Sequence, residues 1–132
     1  MTVEYQILII LFIHWVGDFL FQTEWMAMNK SSKWSALLAH TGLYSIIFWI
    51  TGLALYIFKN HGMDSMDYLH VFEFVVITFV CHTATDYFTS RWTKNLREQN
   101  KYYGFPSFFS VVGLDQWLHA LQLIVTFALI MN

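Results

Sequence analysis

Four long apolar runs, separated by shorter polar segments, set the pattern of this chain: residues 3–22, 36–58, 69–87 and 109–131. A helix needs about 20 residues to cross roughly 30 Å of hydrocarbon, and each run has close to that length. Inside a bilayer the backbone must satisfy its own hydrogen bonds, and four strands cannot close a barrel, so all four runs predict helices. The expected fold class is all-α: a polytopic membrane protein built as a four-transmembrane-helix bundle in up-down-up-down order. At 132 residues there is room for one membrane domain.

The polar positions inside these runs are few and patterned. The first run ends in His14-Trp15-Val16-Gly17-Asp18-Phe19-Leu20-Phe21-Gln22. On a helix His14, Asp18 and Gln22 fall at i, i+4 and i+8, a polar stripe on an apolar cylinder. His82 and Asp86 repeat the spacing in the third run, and Asp115 and His119 repeat it reversed in the fourth. His40 opens the second run, with Tyr44 one turn later, placed either to reach the same cavity or to pack. With alternating helix directions all these positions fall at one membrane side and at similar depth.

Composition and charge sharpen the membrane reading. Apolar residues make up 57% and charged residues 12%, against roughly 45–50% and about 25% in an ordinary soluble domain. One cysteine, Cys81, rules out an intrachain disulfide and is expected to pack as a small apolar residue. The N-terminus lacks a basic region and a small-residue cleavage site, so the first run is expected to be a retained span. Lys30, Lys33, Arg91, Lys94, Arg97 and Lys101 belong to the first and third loops, whereas the second loop carries only Lys59 beside Asp64 and Asp67. Short-loop Lys/Arg excess marks the cytoplasm. Loops one and three are therefore expected inside, both termini outside, and the protein in the inner (plasma) membrane. Trp25, Trp34, Trp92 and Trp117 fall near that cytoplasmic boundary. The basic loops are short and topology accounts for them, so no nucleic-acid partner is expected.

Four histidines and three aspartates converging on one place suit a divalent metal: zinc first, with manganese, iron or nickel as alternatives. The expected ligands are His14, Asp18, His40, His82, Asp86, Asp115 and His119. They exceed the four of a mononuclear zinc site, so two ions can be accommodated. A carboxylate or His40 free of metal would serve as general base, which puts Asp18, His40, Asp86 and Asp115 among the catalytic candidates. Gln22, Gln116 and Gln122 suit hydrogen bonds to ligands. Lys30, Lys33, Arg91 and Lys94 suit an anionic head group; with Gln22 and Gln116, Lys30 and Lys94 are the substrate-binding candidates. The expected function is a membrane hydrolase acting on a lipid or other amphiphile with a phosphate or ester group. Two other readings stay open: a metal-ion or proton transporter or channel subunit, and a non-enzymatic module whose polar network is structural. A transporter of four short helices would need to assemble as a homo-oligomer. An aspartate at a helix centre costs about 2.5–3.5 kcal/mol, which weighs against carrying three without function. His61 and His70 fall on the other side and read as ordinary loop and interface residues.

At these residues the chain resembles a family of small uncharacterised prokaryotic and phage membrane proteins, a domain of unknown function. The pattern is HxxxDFxxQ, a Lys and a His, HxxxD, then DQxxH. Here it reads His14, Asp18, Phe19 and Gln22; Lys30 and His40; His82 and Asp86; and Asp115, Gln116 and His119. More loosely it is similar to the predicted membrane-bound metal-dependent hydrolases, which also place His and Asp at helix ends, though the paired HxxxH is absent here.

Overall fold

A computed structural model of the chain describes residues 2–60 and 65–130, with side chains at 2–55 and 67–130. Helix α1 spans Val3–Trp15 and runs into a single π-helical turn, Val16–Leu20. Short helix α2 covers Glu24–Asn29, α3 Trp34–Asn60, α4 Ser65–Glu98 and α5 Phe108–Ile130. No strand occurs among the described residues. The stretches Val3–Leu20, Trp34–Leu55, Asp67–Glu98 and Phe108–Ile130 are long and apolar enough to cross a membrane. His61 and Asp64, expected in the second loop, lie outside the described residues, and so does the side chain of Lys59.

The bundle is polar inside and apolar outside. Among the described residues more polar than apolar side chains are buried, while Leu8, Phe12, Ile46, Ile50, Val80 and Leu129 face outward. Lipid is as apolar as leucine, so packing and interhelical hydrogen bonds hold such helices together. Thr83 Oγ1 donates to Thr41 Oγ1 (2.9 Å), tying α4 to α3, and Gln122 Nε2 reaches Thr78 Oγ1 (3.3 Å), tying α5 to α4. The apolar core is a compact group of Tyr44, Phe48, Phe74, Leu123 and Phe127, with Ile7, Ile10 and Ile13 of α1 against it.

Three local features differ from a plain four-helix reading. The π turn closes with Phe21 N–H donating to the Val16 carbonyl (3.1 Å). It brings Gly17 against α3 so closely that a Cβ there would lie 2.7 Å from Tyr44 Cδ2. The first loop contains α2, whose first turn is capped by Thr23 Oγ1 accepting from Met26 N–H (3.3 Å). Finally, α4 continues eleven residues beyond Tyr87, so Arg91, Lys94 and Arg97 stand on a helix and not in a loop. No Gly or Pro interrupts Phe88–Glu98, and nothing there breaks the hydrogen-bond ladder when hydropathy falls. Asn100, at φ 56, ends it: Lys101 N–H reaches the Leu96 carbonyl (2.9 Å) and Asn100 N–H the Arg97 carbonyl (3.0 Å). At the start of α5, Ser110 N–H donates to Ser107 Oγ (3.2 Å) as an N-cap.

Candidate metal centre

Four ladders with i, i+4 spacing build the site. They are His14–Asp18 on the first helix and its π turn, His40–Tyr44–Phe48 on α3, Thr78–His82–Asp86 on α4 and Asp115–His119–Leu123–Phe127 on α5. Because residues four apart share a face, each ladder points inward along its length. At one end they present carboxylates, then imidazoles, and beyond these the aromatic core. His14, Asp18, His40, His82, Asp86 and His119 are all at most 6% exposed. All seven expected ligands come together, with Asp115 the most accessible at 13% side-chain exposure.

The closest contacts of the cluster join atoms from two helices, α3 and α4, and the π turn. His40 Nε2 and His82 Nε2 lie 3.3 Å apart. Asp18 Oδ1 is 3.4 Å from the first and 3.3 Å from the second. Asp86 Oδ2 is 3.1 Å from His40 Nε2 and 3.7 Å from His82 Nε2. Two ligands about 2.0–2.1 Å from a tetrahedral zinc ion stand about 3.3 Å from one another, and the mutual 3.3–3.4 Å separations of Asp18 Oδ1, His40 Nε2 and His82 Nε2 fit three such ligands. Three sets of buried His and Asp satisfy a ligand-atom separation of 4.8 Å or less: His14/Asp18/His119, Asp18/His40/His82 and His82/Asp86/His119.

Hydrogen bonding inside the protein leaves much of this cluster unmet. Asp18 Oδ1, His14 Nε2, His82 Nδ1 and both nitrogens of His119 are buried without a hydrogen-bond partner. Leaving a buried polar atom unsatisfied costs about 1–3 kcal/mol each, so a purely structural network is an expensive reading of this arrangement. Charge points the same way. Three carboxylates (Asp18, Asp86, Asp115) share, among the described residues, one ammonium: Lys30 Nζ on Asp86 Oδ2 at 2.9 Å. A donor set of imidazole nitrogens and carboxylate oxygens with two charges to spare fits a divalent cation.

Supporting contacts fix the ligands in place. Tyr44 OH is 2.9 Å from His14 Nδ1, and the Tyr44 ring stacks on His82 at 4.0 Å between centroids. Gln116 Nε2 donates to Asp18 Oδ2 and Asp115 Oδ2, both at 3.1 Å. Thr89 Oγ1 donates to Asp115 Oδ1 through a short bond. Gln22 serves differently from expectation, donating to the Asp18 backbone carbonyl (3.1 Å), and Gln122 bonds Thr78 and Thr126 away from the ligands.

A cavity of about 230 Å³ opens onto the carboxylate end. It is lined by the carboxylates of Asp18, Asp86 and Asp115, by the basic side chains of Lys30, Lys94 and Arg97, and by the apolar side chains of Phe19, Phe108 and Val112. Gln22 and Gln116 line it too, whereas Lys33 and Arg91 do not. Arg91 instead lies 3.6 Å over the Tyr87 ring, which stacks on Trp34. Thr89 and Thr93 do not figure among the sequence-predicted site residues, and Arg97 figures only as a basic loop residue, yet all three continue the His82–Asp86 stripe along the extension of α4. That periodicity was the available signal, hidden by ending the third span at Tyr87.

A family model described as Protein of unknown function (DUF3307) matches residues 7–132. No curated protein and no solved structure matches the chain.

Proposed function

Starting from a chain that belongs to the DUF3307 family, whose function is unknown, we propose a membrane-embedded, metal-dependent hydrolase of a phosphate- or ester-bearing lipid or amphiphile. The observation that carries the reading is the mutual 3.3–3.4 Å grouping of His40 Nε2, His82 Nε2 and Asp18 Oδ1, with Asp86 Oδ2 3.1 Å from His40 Nε2, next to a cavity lined by charged and apolar side chains. A divalent ion bound there, zinc foremost, would supply Lewis-acid polarisation and a nucleophile at neutral pH.

The chain's own residues supply binding and proton handling. Lys94 and Arg97 draw an anionic head group to the mouth, and the apolar wall of Phe19, Phe108 and Val112 takes the adjoining chain. Asp115, held by Thr89 and Gln116 and facing the cavity, accepts the proton of an attacking water. His40 is the second candidate for that role. The basic end faces the cytoplasm, in line with the positive-inside rule. Transport fits less well, because the aromatic residues Tyr44, Phe48, Phe74 and Phe127 pack together beyond the imidazoles.

The test is elemental mass spectrometry on tag-free, detergent-purified protein, with phosphate and fatty-acid release from lipid vesicles measured in parallel. At least one equivalent of zinc, manganese, iron or nickel is expected, with chelator-sensitive hydrolysis, both lost in His82→Ala. Protein that stays metal-free after each ion is added back would refute the reading.

A further inference from the structure

The two oxygens of Asp18 face different partners. Oδ1 lies with His40 and His82, as described above. Oδ2 lies 3.7 Å from His14 Nδ1 and 3.8 Å from His119 Nδ1. His119 Nδ1 in turn stands 3.5 Å from Asp115 Oδ2. A second donor set of imidazoles and carboxylates is thus built on the far side of one shared carboxylate.

We propose that the cluster holds two divalent cations bridged by the Asp18 carboxylate: one among Asp18 Oδ1, His40, His82 and Asp86, the other among Asp18 Oδ2, His14, His119 and Asp115. This deepens, and rests on, the metal-centre reading. Four observations support it. His119 is 1% exposed and neither of its ring nitrogens has a hydrogen-bond partner, although Nδ1 lies 3.8 Å from Asp18 Oδ2 and Nε2 4.0 Å from Asp86 Oδ1. His14 Nε2 is orphaned in the same way. The His82 and His119 rings stack at 4.0 Å, 19° from parallel. Two-ion sites hold their ions about 3.5–4 Å apart, so one stacked ring on each ion preserves that spacing. Gln116 Nε2 bonds both Asp18 Oδ2 and Asp115 Oδ2 at 3.1 Å, setting the two carboxylates of the second site in register.

The substrate class follows from charge. One divalent ion only balances three carboxylates and Lys30. Two ions leave an excess of positive charge at the cavity, which suits a phosphate ester over a neutral carboxylic ester. Lys30, Lys94 and Arg97 around the same cavity add to that preference.

The deciding experiment is manganese titration of the tag-free full chain in detergent, read by elemental analysis and electron paramagnetic resonance. Two equivalents are expected, with an exchange-coupled spectrum that develops as the second site fills. His40→Ala and His119→Ala are each expected to keep one equivalent, uncoupled, and Asp18→Asn to abolish the coupling. Saturation of the parent at one equivalent, or two equivalents without coupling, would overturn the two-ion site while leaving a single metal centre standing. No binding at all would overturn both. The parent protein decides the question by itself, so a variant that fails to fold does not blur the result.

Discussion

Lys30 is the residue whose role changes most with the state of the site. Its ammonium sits 2.9 Å from Asp86 Oδ2, on a carboxylate that is 1% exposed. Removing one partner of a buried pair leaves a charge without compensation, at a cost of about 3–5 kcal/mol. Lys30→Met is therefore expected to lower the thermal midpoint strongly in chelator. The gap to the parent should narrow when metal is added, because the ion then compensates Asp86. Equal gaps in both conditions would mean that ion and lysine do not share that carboxylate. Gly17 is a second residue with a defined limit. Its added Cβ would meet the Tyr44 ring at 2.7 Å, and overpacking of this kind costs about 1–3 kcal/mol. Gly17→Ala should be measurably less stable in thermal unfolding and should weaken metal retention, since Tyr44 holds both His14 and His82. The His and Asp residues were legible in the sequence because polar groups stand out in apolar runs. Tyr44 was only half legible, because a tyrosine among apolar residues reads equally well as packing.

At the scale of elements, the helices were legible and their ends were not. Hydropathy marks where a span leaves hydrocarbon, but a helix stops where its hydrogen bonds find another partner. Thus α4 runs on to Glu98 and ends at the left-handed Asn100, carrying Thr89, Thr93 and Arg97 over the cavity. The π turn after α1 was invisible for a related reason: it depends on the fit of Gly17 to α3, a tertiary contact that no local pattern encodes. The cap at the head of α5 gives a clean element-level test. Ser107→Ala removes the oxygen that accepts from Ser110 N–H and should cost about 1 kcal/mol in unfolding measurements. Asp115 lies eight residues on in the same helix, so a larger loss of metal than of stability would show that the start of α5 positions the ligand.

For the whole molecule, the orientation expected from the basic loops can be measured. With Cys81→Ala as background, Thr2→Cys is expected to react with a membrane-impermeant maleimide on intact cells. Lys101→Cys should react only after lysis. The opposite labelling would place the cavity on the outer face and reverse the positive-inside expectation. A ligand present at 100 times its dissociation constant stabilises a folded protein by about 2.7 kcal/mol. Thermal midpoints of the parent should accordingly rise with free metal concentration and fall in chelator.

The aromatic core beyond the imidazoles carries one more consequence. Tyr44, Phe48, Phe74 and Phe127 pack directly behind the histidines, so on the proposed reading substrate would reach the metal from the cavity end. A lipid substrate would then be drawn from a single leaflet, the one level with Lys94 and Arg97. In sealed vesicles carrying the protein in one orientation, hydrolysis should stall when that monolayer is exhausted and resume only as fast as lipid flips across. Such an enzyme would report and shape the asymmetry of its membrane, and its rate in a cell would depend on the supply of substrate from the other side.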